Sequence, residues 1–216
     1  MMKIAVTSLK GGVGKTTIVT NLAVCYAQRG YSVCIVDTDS EQESSIIWSE
    51  QRRDDLAQVS VVRVGEKNLI REVAQHAKNY DVVILDGSPQ LSELANATML
   101  ASDVVVVPIS PSAFDFWSLD KFLTRLQQAQ QLKENLQAFV LLNKFNELQN
   151  ISKELAESLR TEFPNVPRLT TTIAERVAFK EASSQGIGVT EYKDRKAKDE
   201  IESLATEIEH IFKSQN

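Results

Sequence analysis

Residues 8–17 read SLKGGVGKTT, a glycine-rich run that joins an apolar stretch to a helical pattern. Glycines let the backbone curl so that its N–H groups face an anion, and a following helix N-terminus adds a favourable dipole. Lys15 would contact the terminal phosphates of a nucleotide, and the Thr16 hydroxyl would hold Mg²⁺. The strict phosphate-loop pattern has glycine where Leu9 stands, so this loop is a variant. The loop residues predicted to bind the nucleotide are Gly11, Gly12, Val13, Gly14, Lys15, Thr16 and Thr17.

Apolar, β-rich runs alternate with longer helical patterns along the rest of the chain. The predicted strands cover residues 3–8, 32–37, 59–64, 81–86, 103–108 and 138–143, with a weaker one at 168–173. The predicted helices cover about 15–29, 43–56, 67–78, 91–101, 116–132, 148–162, 175–184 and 197–213. This alternation predicts an α/β fold with a doubly wound, mostly parallel sheet flanked by helices. We expect residues 1–216 to form one domain, with the last helix packed on it.

The composition is that of an ordinary globular protein, with 43% hydrophobic and 25% charged residues. The net charge of −5 argues against a protein that is dedicated to coating nucleic acid, although it does not exclude a local basic patch. No run approaches the roughly 18 apolar residues that a membrane span needs, and no signal-peptide pattern is present. We therefore expect a cytoplasmic protein. Cys25 and Cys34 lack CxxC spacing, which favours buried thiols over a metal or redox site.

Acidic residues follow two of the predicted strands. Because ligands of such sheets bind beyond the carboxyl ends of the strands, these residues are candidates for the site. Asp86 ends the run VVILD and is suited to hold the Mg²⁺ shell. Asp37 and Asp39 end the second strand, where they suit a metal contact and a water-orienting group respectively. The alternative is that one of them caps the helix that begins near residue 43.

Residues 143–146 read NKFN, which is similar to the guanine-reading pattern NKxD. Asn146 replaces the aspartate that would bind the guanine N–H groups, so ATP is the better prediction. Asn143 would then read the adenine edge as donor and acceptor. The alternative is that it only satisfies polar groups of its loop.

Together these segments resemble the ParA/MinD group of deviant Walker-A ATPases, within the P-loop NTPases. The resemblance is to small ParA partition ATPases that lack an N-terminal DNA-binding extension. One departure is Ser40, which replaces the proline usual after the second aspartate. The segments that carry the resemblance are KGGVGKTT at 10–17, DTDSEQ at 37–42, LDGSP at 85–89, SPSAFD at 110–115 and IAERVAFKEA at 173–182.

The resemblance implies an ATP-bound homodimer in which Lys10 reaches the phosphates held by the other subunit. A second cation also fits the charge of ATP, because Mg²⁺ and one lysine leave part of its roughly four negative charges uncompensated. The resemblance further implies weak ATP hydrolysis that a ParB-like activator or adaptor stimulates, with Lys10, Lys15 and Asp39 as catalytic residues. Non-specific DNA binding by the dimer, and hence association with the nucleoid, is also implied.

The C-terminal helix separates DNA-binding from membrane-binding relatives. Its apolar stripe faces an acidic rather than a basic polar side, which disfavours a membrane-surface helix. Basic residues cluster before and at the start of this helix and are predicted to contact DNA phosphates, although such clusters are commonly just solvated. They are Arg176, Lys180, Lys193, Arg195, Lys196 and Lys198.

The leading interpretation is a DNA-segregation ATPase that positions a plasmid or chromosome through a ParB-like partner. One alternative is positioning of a protein cargo, such as a microcompartment or a chemoreceptor cluster. Another is a P-loop kinase or ligase acting on a small molecule, which would require an acceptor pocket. Iron–sulfur electron transfer is rejected because Cys25 and Cys34 lie in a helix and a strand rather than in loops near the nucleotide.

Overall fold

The computed structural model describes residues 1–39, 43–88, 93–111 and 113–214. Ser40, which replaces the family's usual proline, lies outside these ranges, as do Pro89 and Ser112.

Strands and helices alternate through the described chain. The strands are β1 (Met2–Val6), β2 (Val33–Asp37), β3 (Ser60–Arg63), β4 (Val82–Asp86), β5 (Val104–Ile109), β6 (Gln137–Phe145) and β7 (Ile173–Ala174). The helices are α1 (Lys15–Gln28), α2 (Ser44–Glu50), α3 (Leu69–His76), α4 (Glu93–Ala101), α5 (Ala113–Leu132), α6 (Asn150–Glu162), α7 (Val177–Ser183) and α8 (Arg195–Lys213).

The described strands form a seven-stranded sheet in the order β3-β2-β4-β1-β5-β6-β7, and all paired neighbours run parallel. This confirms the predicted fold class. The pairing also aligns the strand ends that carry the candidate site. Val6, which precedes the glycine-rich loop, lies opposite Asp86, and Asp86 lies opposite Asp37. The three strand ends therefore meet at one point on the carboxyl edge of the sheet.

Side chains of the central strands alternate between two apolar cores, one on each face of the sheet. Ile4 of β1 packs with α1, α2, α7 and α8, whereas Ala5 packs with α3, α4, α5 and α6. Cys25 belongs to the first core and Cys34 to the second, and both thiols are free. The prediction that they are buried is confirmed. Burial raises the pKa of Cys34 to about 11, so this thiol remains protonated at neutral pH.

Long-range contacts move some element boundaries away from the predicted ones. Helix α2 ends at Glu50, well before the predicted end at residue 56, because Arg52 turns away to pair with Glu191. Both partners of this ion pair are almost fully buried, with side chains 4% and 7% exposed. Of the weak strand predicted at 168–173, only Ile173 lies in a strand, β7, and Arg168 forms an isolated bridge with Val140.

Helix α8 begins at Arg195, earlier than the predicted start at 197, because the Asp194 carboxylate accepts a hydrogen bond from the Ala197 N–H at 3.0 Å. Its apolar stripe lies in the same core as α1, and the Tyr26 hydroxyl donates to the Ala205 carbonyl at 3.1 Å. Within the described ranges, no helix is both long and apolar enough to cross a bilayer.

The packing of α8 can be tested with two identical substitutions. Leu204 is 0% exposed on α8, whereas Leu132 at the end of α5 is 78% exposed. We expect Leu204→Ala to lower the free energy of unfolding by about 2–5 kcal/mol through lost burial and cavity formation. Leu132→Ala should change it by less than about 0.5 kcal/mol in the same denaturant titration. Equal effects of the two substitutions would contradict the packing of α8 against the sheet.

Candidate nucleotide-binding site

The glycine-rich loop follows β1 and ends where α1 begins. Gly12 and Gly14 adopt the left-handed backbone region, with φ of 75° and 93°, which favours glycine. Gly14 is also the N-cap of α1, and a Cβ placed there would lie 2.4 Å from the Asn143 Nδ2 atom. Backbone conformation and close packing both require glycine at this position. The loop therefore places the first N–H groups of α1 at the mouth of the cleft described below.

Lys15 lies along the inside of this loop and is only 8% exposed. Its Nζ donates to the carbonyl of Lys10 at 3.0 Å. Burial lowers the pKa of Lys15, while the nearby carboxylates of Asp86 and Asp39 oppose that shift. The lysine ammonium and these acidic groups thus share one small polar region.

Asp86 is the centre of that region and is almost fully buried. Its Oδ2 accepts hydrogen bonds from the Thr16 and Ser45 hydroxyls, both at 2.7 Å. Its backbone carbonyl accepts from the Thr38 hydroxyl at 2.7 Å. Burial raises the pKa of the Asp86 carboxyl to about 6, and the two donated hydrogen bonds oppose that rise. The oxygen atoms of the Thr16 hydroxyl and the Asp86 carboxylate are adjacent, and oxygen atoms are the ligands that Mg²⁺ prefers. These residues therefore fit a magnesium site.

Asp37, also predicted as a metal ligand, directs both carboxylate oxygens to the backbone. Oδ1 accepts from the Asp39 N–H at 2.9 Å, and Oδ2 accepts from the Ser45 N–H at 3.1 Å. Asp37 therefore caps the start of α2, which is the alternative that the sequence left open. Its role as a metal ligand stays a prediction that this geometry does not favour. Asp39 is half-buried and lies on the wall of the cleft, where a water-orienting group is needed.

The NKFN segment, at the end of β6, forms hydrogen bonds to the phosphate loop. The Asn143 Nδ2 donates to the Val13 carbonyl, and the Lys144 Nζ donates to the Gly12 carbonyl, both at 2.6 Å. Asn143 is buried, so its amide nitrogen serves the loop in this structure. The prediction that it reads adenine stays untested. Lys144 was not predicted as a site residue, although it belongs to the same short pattern.

These groups line a cleft of about 560 Å³, a volume that suits a nucleotide. As far as the structure describes its wall, the cleft includes Lys15 but not Lys10, which is half-buried and lines a separate small pocket beside Leu9 and Val13. Sequence reasoning missed the contribution of α2 and α7, because helix-to-sheet packing places them there. The lining residues of these helices, and of the position just after each, that were not predicted are Ser44, Ile47, Trp48, Gln51, Phe179, Ser183 and Ser184.

The structure divides the six predicted DNA-contact residues into two groups. Arg176 and Lys180 lie on the wall of the cleft, and the Arg176 Nη2 pairs with the Glu200 Oε1 at 2.6 Å. The other four lie near the start of α8, where Lys198 forms a looser pair with Glu202 at 3.6 Å. This second group, which we term the α8 basic segment, consists of Lys193, Arg195, Lys196 and Lys198.

The glycine requirement of the loop gives a direct test. Gly14→Ala should weaken binding of Mg-ATP at least about tenfold, because the left-handed backbone costs alanine roughly 1–2 kcal/mol and Asn143 must also move. Gly65→Ala is the matched control, since Gly65 has open space around its Cα and no positive φ. Isothermal titration calorimetry would compare the two. Equal affinities would show that the loop does not contact the nucleotide.

Comparisons with known proteins found relatives that align along nearly the whole chain. Maintenance of carboxysome distribution protein A of Halothiobacillus neapolitanus is 29% identical, over 95% of this chain and 95% of that protein. The sporulation initiation inhibitor protein Soj of Bacillus subtilis is 26% identical, over 95% of this chain and 97% of Soj.

Two solved structures share the fold. Apo McdA from Cyanothece has a TM-score of 0.82 at 18% identity, over 96% of this chain and 99% of that one. The septum site-determining protein MinD of Pyrococcus horikoshii, complexed with Mg-ADP, has a TM-score of 0.76 at 20% identity, over 100% of this chain and 98% of that one.

The family model of the CobQ/CobB/MinD/ParA nucleotide-binding domain matches residues 4–189, which include the phosphate loop, both strand-end carboxylates and the NKFN segment. The chain therefore belongs to the CobQ/CobB/MinD/ParA nucleotide-binding family, which confirms the ParA/MinD resemblance seen in its sequence.

Proposed function

We propose that this chain is a ParA-type ATPase that binds Mg-ATP, closes into a homodimer and positions a cargo in the cell. The observation that carries the proposal is the separation of the two loop lysines. Lys15 lines the cleft of its own chain, whereas Lys10, five positions earlier in the same loop, is half-buried and is not among the described residues of the cleft wall. This separation supports a division of roles in which Lys15 serves the nucleotide of its own subunit and Lys10 serves that of a second subunit.

Four polar residues of the cleft, together with Lys10 of a second subunit, have parts in ATP hydrolysis. The loop N–H groups and Lys15 bind the phosphates, and Thr16 and Asp86 would hold Mg²⁺, which would neutralise phosphate charge. Asp39, half-buried on the cleft wall, orients the attacking water. Lys10 from the second subunit adds a cation to the transferring phosphate. Hydrolysis is weak until an activator protein completes the site.

The relatives favour a protein body as the cargo. The H. neapolitanus protein is named for carboxysome distribution and aligns with 95% of this chain, so an adaptor on a protein assembly is the partner that we propose first. The similarity to Soj, which aligns with 95% of the chain, supports a second candidate, a plasmid or chromosome attached through a ParB-like adaptor. A small-molecule kinase or ligase is the third. ATP turnover without any added acceptor would distinguish the first two from the third.

DNA is the matrix that we propose for this positioning, with the nucleoid as the location. The α8 basic segment supports the proposal, because Lys193, Arg195 and Lys196 are exposed in a chain whose net charge is −5. Phosphate contacts by such side chains carry no base sequence information, so binding is non-specific.

The two lysines can be separated experimentally. Lys15→Ala should abolish Mg-ATP binding. Among the described loop residues on the cleft wall, Lys15 is the only lysine, so the substitution removes the ammonium that would bind the phosphates. Lys10→Ala should keep the affinity but lose the ATP-dependent dimer in sedimentation velocity. Lys78→Ala, at an exposed lysine of the α3 end, is the control and should leave both properties unchanged. A Lys10→Ala protein that still dimerises with ATP would contradict the two-subunit site.

The α8 basic segment makes a separate prediction. In the ATP-bound protein, the triple variant Arg195→Ala, Lys196→Ala, Lys198→Ala should weaken DNA binding and reduce the slope of log affinity against log salt by about 2–3. The charge-matched control changes the exposed cations Lys67, Arg71 and Lys78 around α3 to alanine. Fluorescence anisotropy with DNA duplexes of unrelated sequence is the measurement. Equal losses in the two triple variants would show that net charge, and not this segment, governs binding.

A further inference from the structure

Ser45, in the first turn of α2, contacts both carboxylates at the strand ends. Its side chain is completely buried. The hydroxyl donates to the Asp86 Oδ2 at 2.7 Å, and the backbone N–H donates to the Asp37 Oδ2 at 3.1 Å. Since Asp37 and Asp86 are paired neighbours in the sheet, one residue joins the ends of β2 and β4 to the start of α2.

This pattern differs from that of an ordinary serine in a helix. Such serines usually bond to the backbone of their own turn, as Ser49 does in the same helix, where its hydroxyl donates to the Ile46 carbonyl at 2.7 Å. Ser45 instead donates across 41 positions to a buried carboxylate. That carboxylate oxygen also receives the Thr16 hydroxyl at 2.7 Å. Two hydroxyls on the same oxygen fix the rotation of the Asp86 side chain.

We propose that Ser45 is a positioning residue of the magnesium site, which holds the Asp86 carboxylate beside the Thr16 hydroxyl. The inference rests on the proposed function, because it assigns Mg-ATP to this cleft. Removing a group that hydrogen-bonds to a metal ligand and orients it typically lowers the metal affinity about 10–100-fold. The described hydrogen bonds of Ser45 go to Asp37 and Asp86 and not to the loop backbone or Lys15, so we expect its effect to be on the metal and not on the nucleotide itself.

Magnesium dependence of nucleotide binding tests this role without measuring turnover. The probe is a fluorescent, non-hydrolysable ATP analogue, bound first in EDTA and then with increasing Mg²⁺. Ser45→Ala should raise the half-saturating Mg²⁺ concentration about tenfold and leave the affinity in EDTA unchanged within about twofold. Ser49→Ala is the matched control and should behave like the wild type in both conditions.

Two results would overturn the proposal. One is a Ser45→Ala protein with the wild-type Mg²⁺ requirement. The other is an equal loss of affinity with and without Mg²⁺, which would indicate a general structural role. If Ser45→Ala does not fold, Ser45→Cys removes most of the donor strength at nearly the same volume, and the same two criteria apply. If the wild type itself shows no magnesium-dependent binding, the proposed function fails instead, so the two failures are distinguishable.

Discussion

The structure depends on one buried carboxylate. Asp86 lies at the end of a central strand, almost without solvent contact, and an ionised group in such a place requires donated hydrogen bonds. Thr16 from the phosphate loop and Ser45 from α2 provide them. The carboxylate therefore links the starts of α1 and α2 to the end of β4, and both helices contribute residues to the cleft wall.

The parallel sheet makes this arrangement possible. Its central strands are apolar on both faces, so the polar residues that follow them collect at the carboxyl edge. Register places Val6, Asp86 and Asp37 side by side there. The glycine-rich loop lies at this edge, and the Asn143 Nδ2 of β6 donates to the Val13 carbonyl of the loop at 2.6 Å. The shape of the cleft thus follows from strand register and loop conformation together.

Local sequence patterns were enough to predict the fold class, six of the seven described strands and the position of the glycine-rich loop. They also led to Asp86, because a carboxylate after an apolar strand has few other uses beside such a loop. They did not reveal the contacts that depend on tertiary packing. The sequence leaves two interpretations of Asp37 open, a metal ligand and a helix cap. Ser45 belongs to no motif. The early end of α2 follows from the Arg52 ion pair with Glu191, a partner 139 positions away. Periodicity within a short window carries no information about such a partner.

The proposed function requires that ATP, and not ADP, joins two copies of this chain. Sedimentation velocity of the wild-type protein with Mg-ATP and with Mg-ADP, at equal protein concentration, measures this requirement. We expect a monomer with Mg-ADP and a dimer of twice the 24.1 kDa chain mass with Mg-ATP. The same sedimentation coefficient in both nucleotides, measured at concentrations that saturate the site, would contradict it.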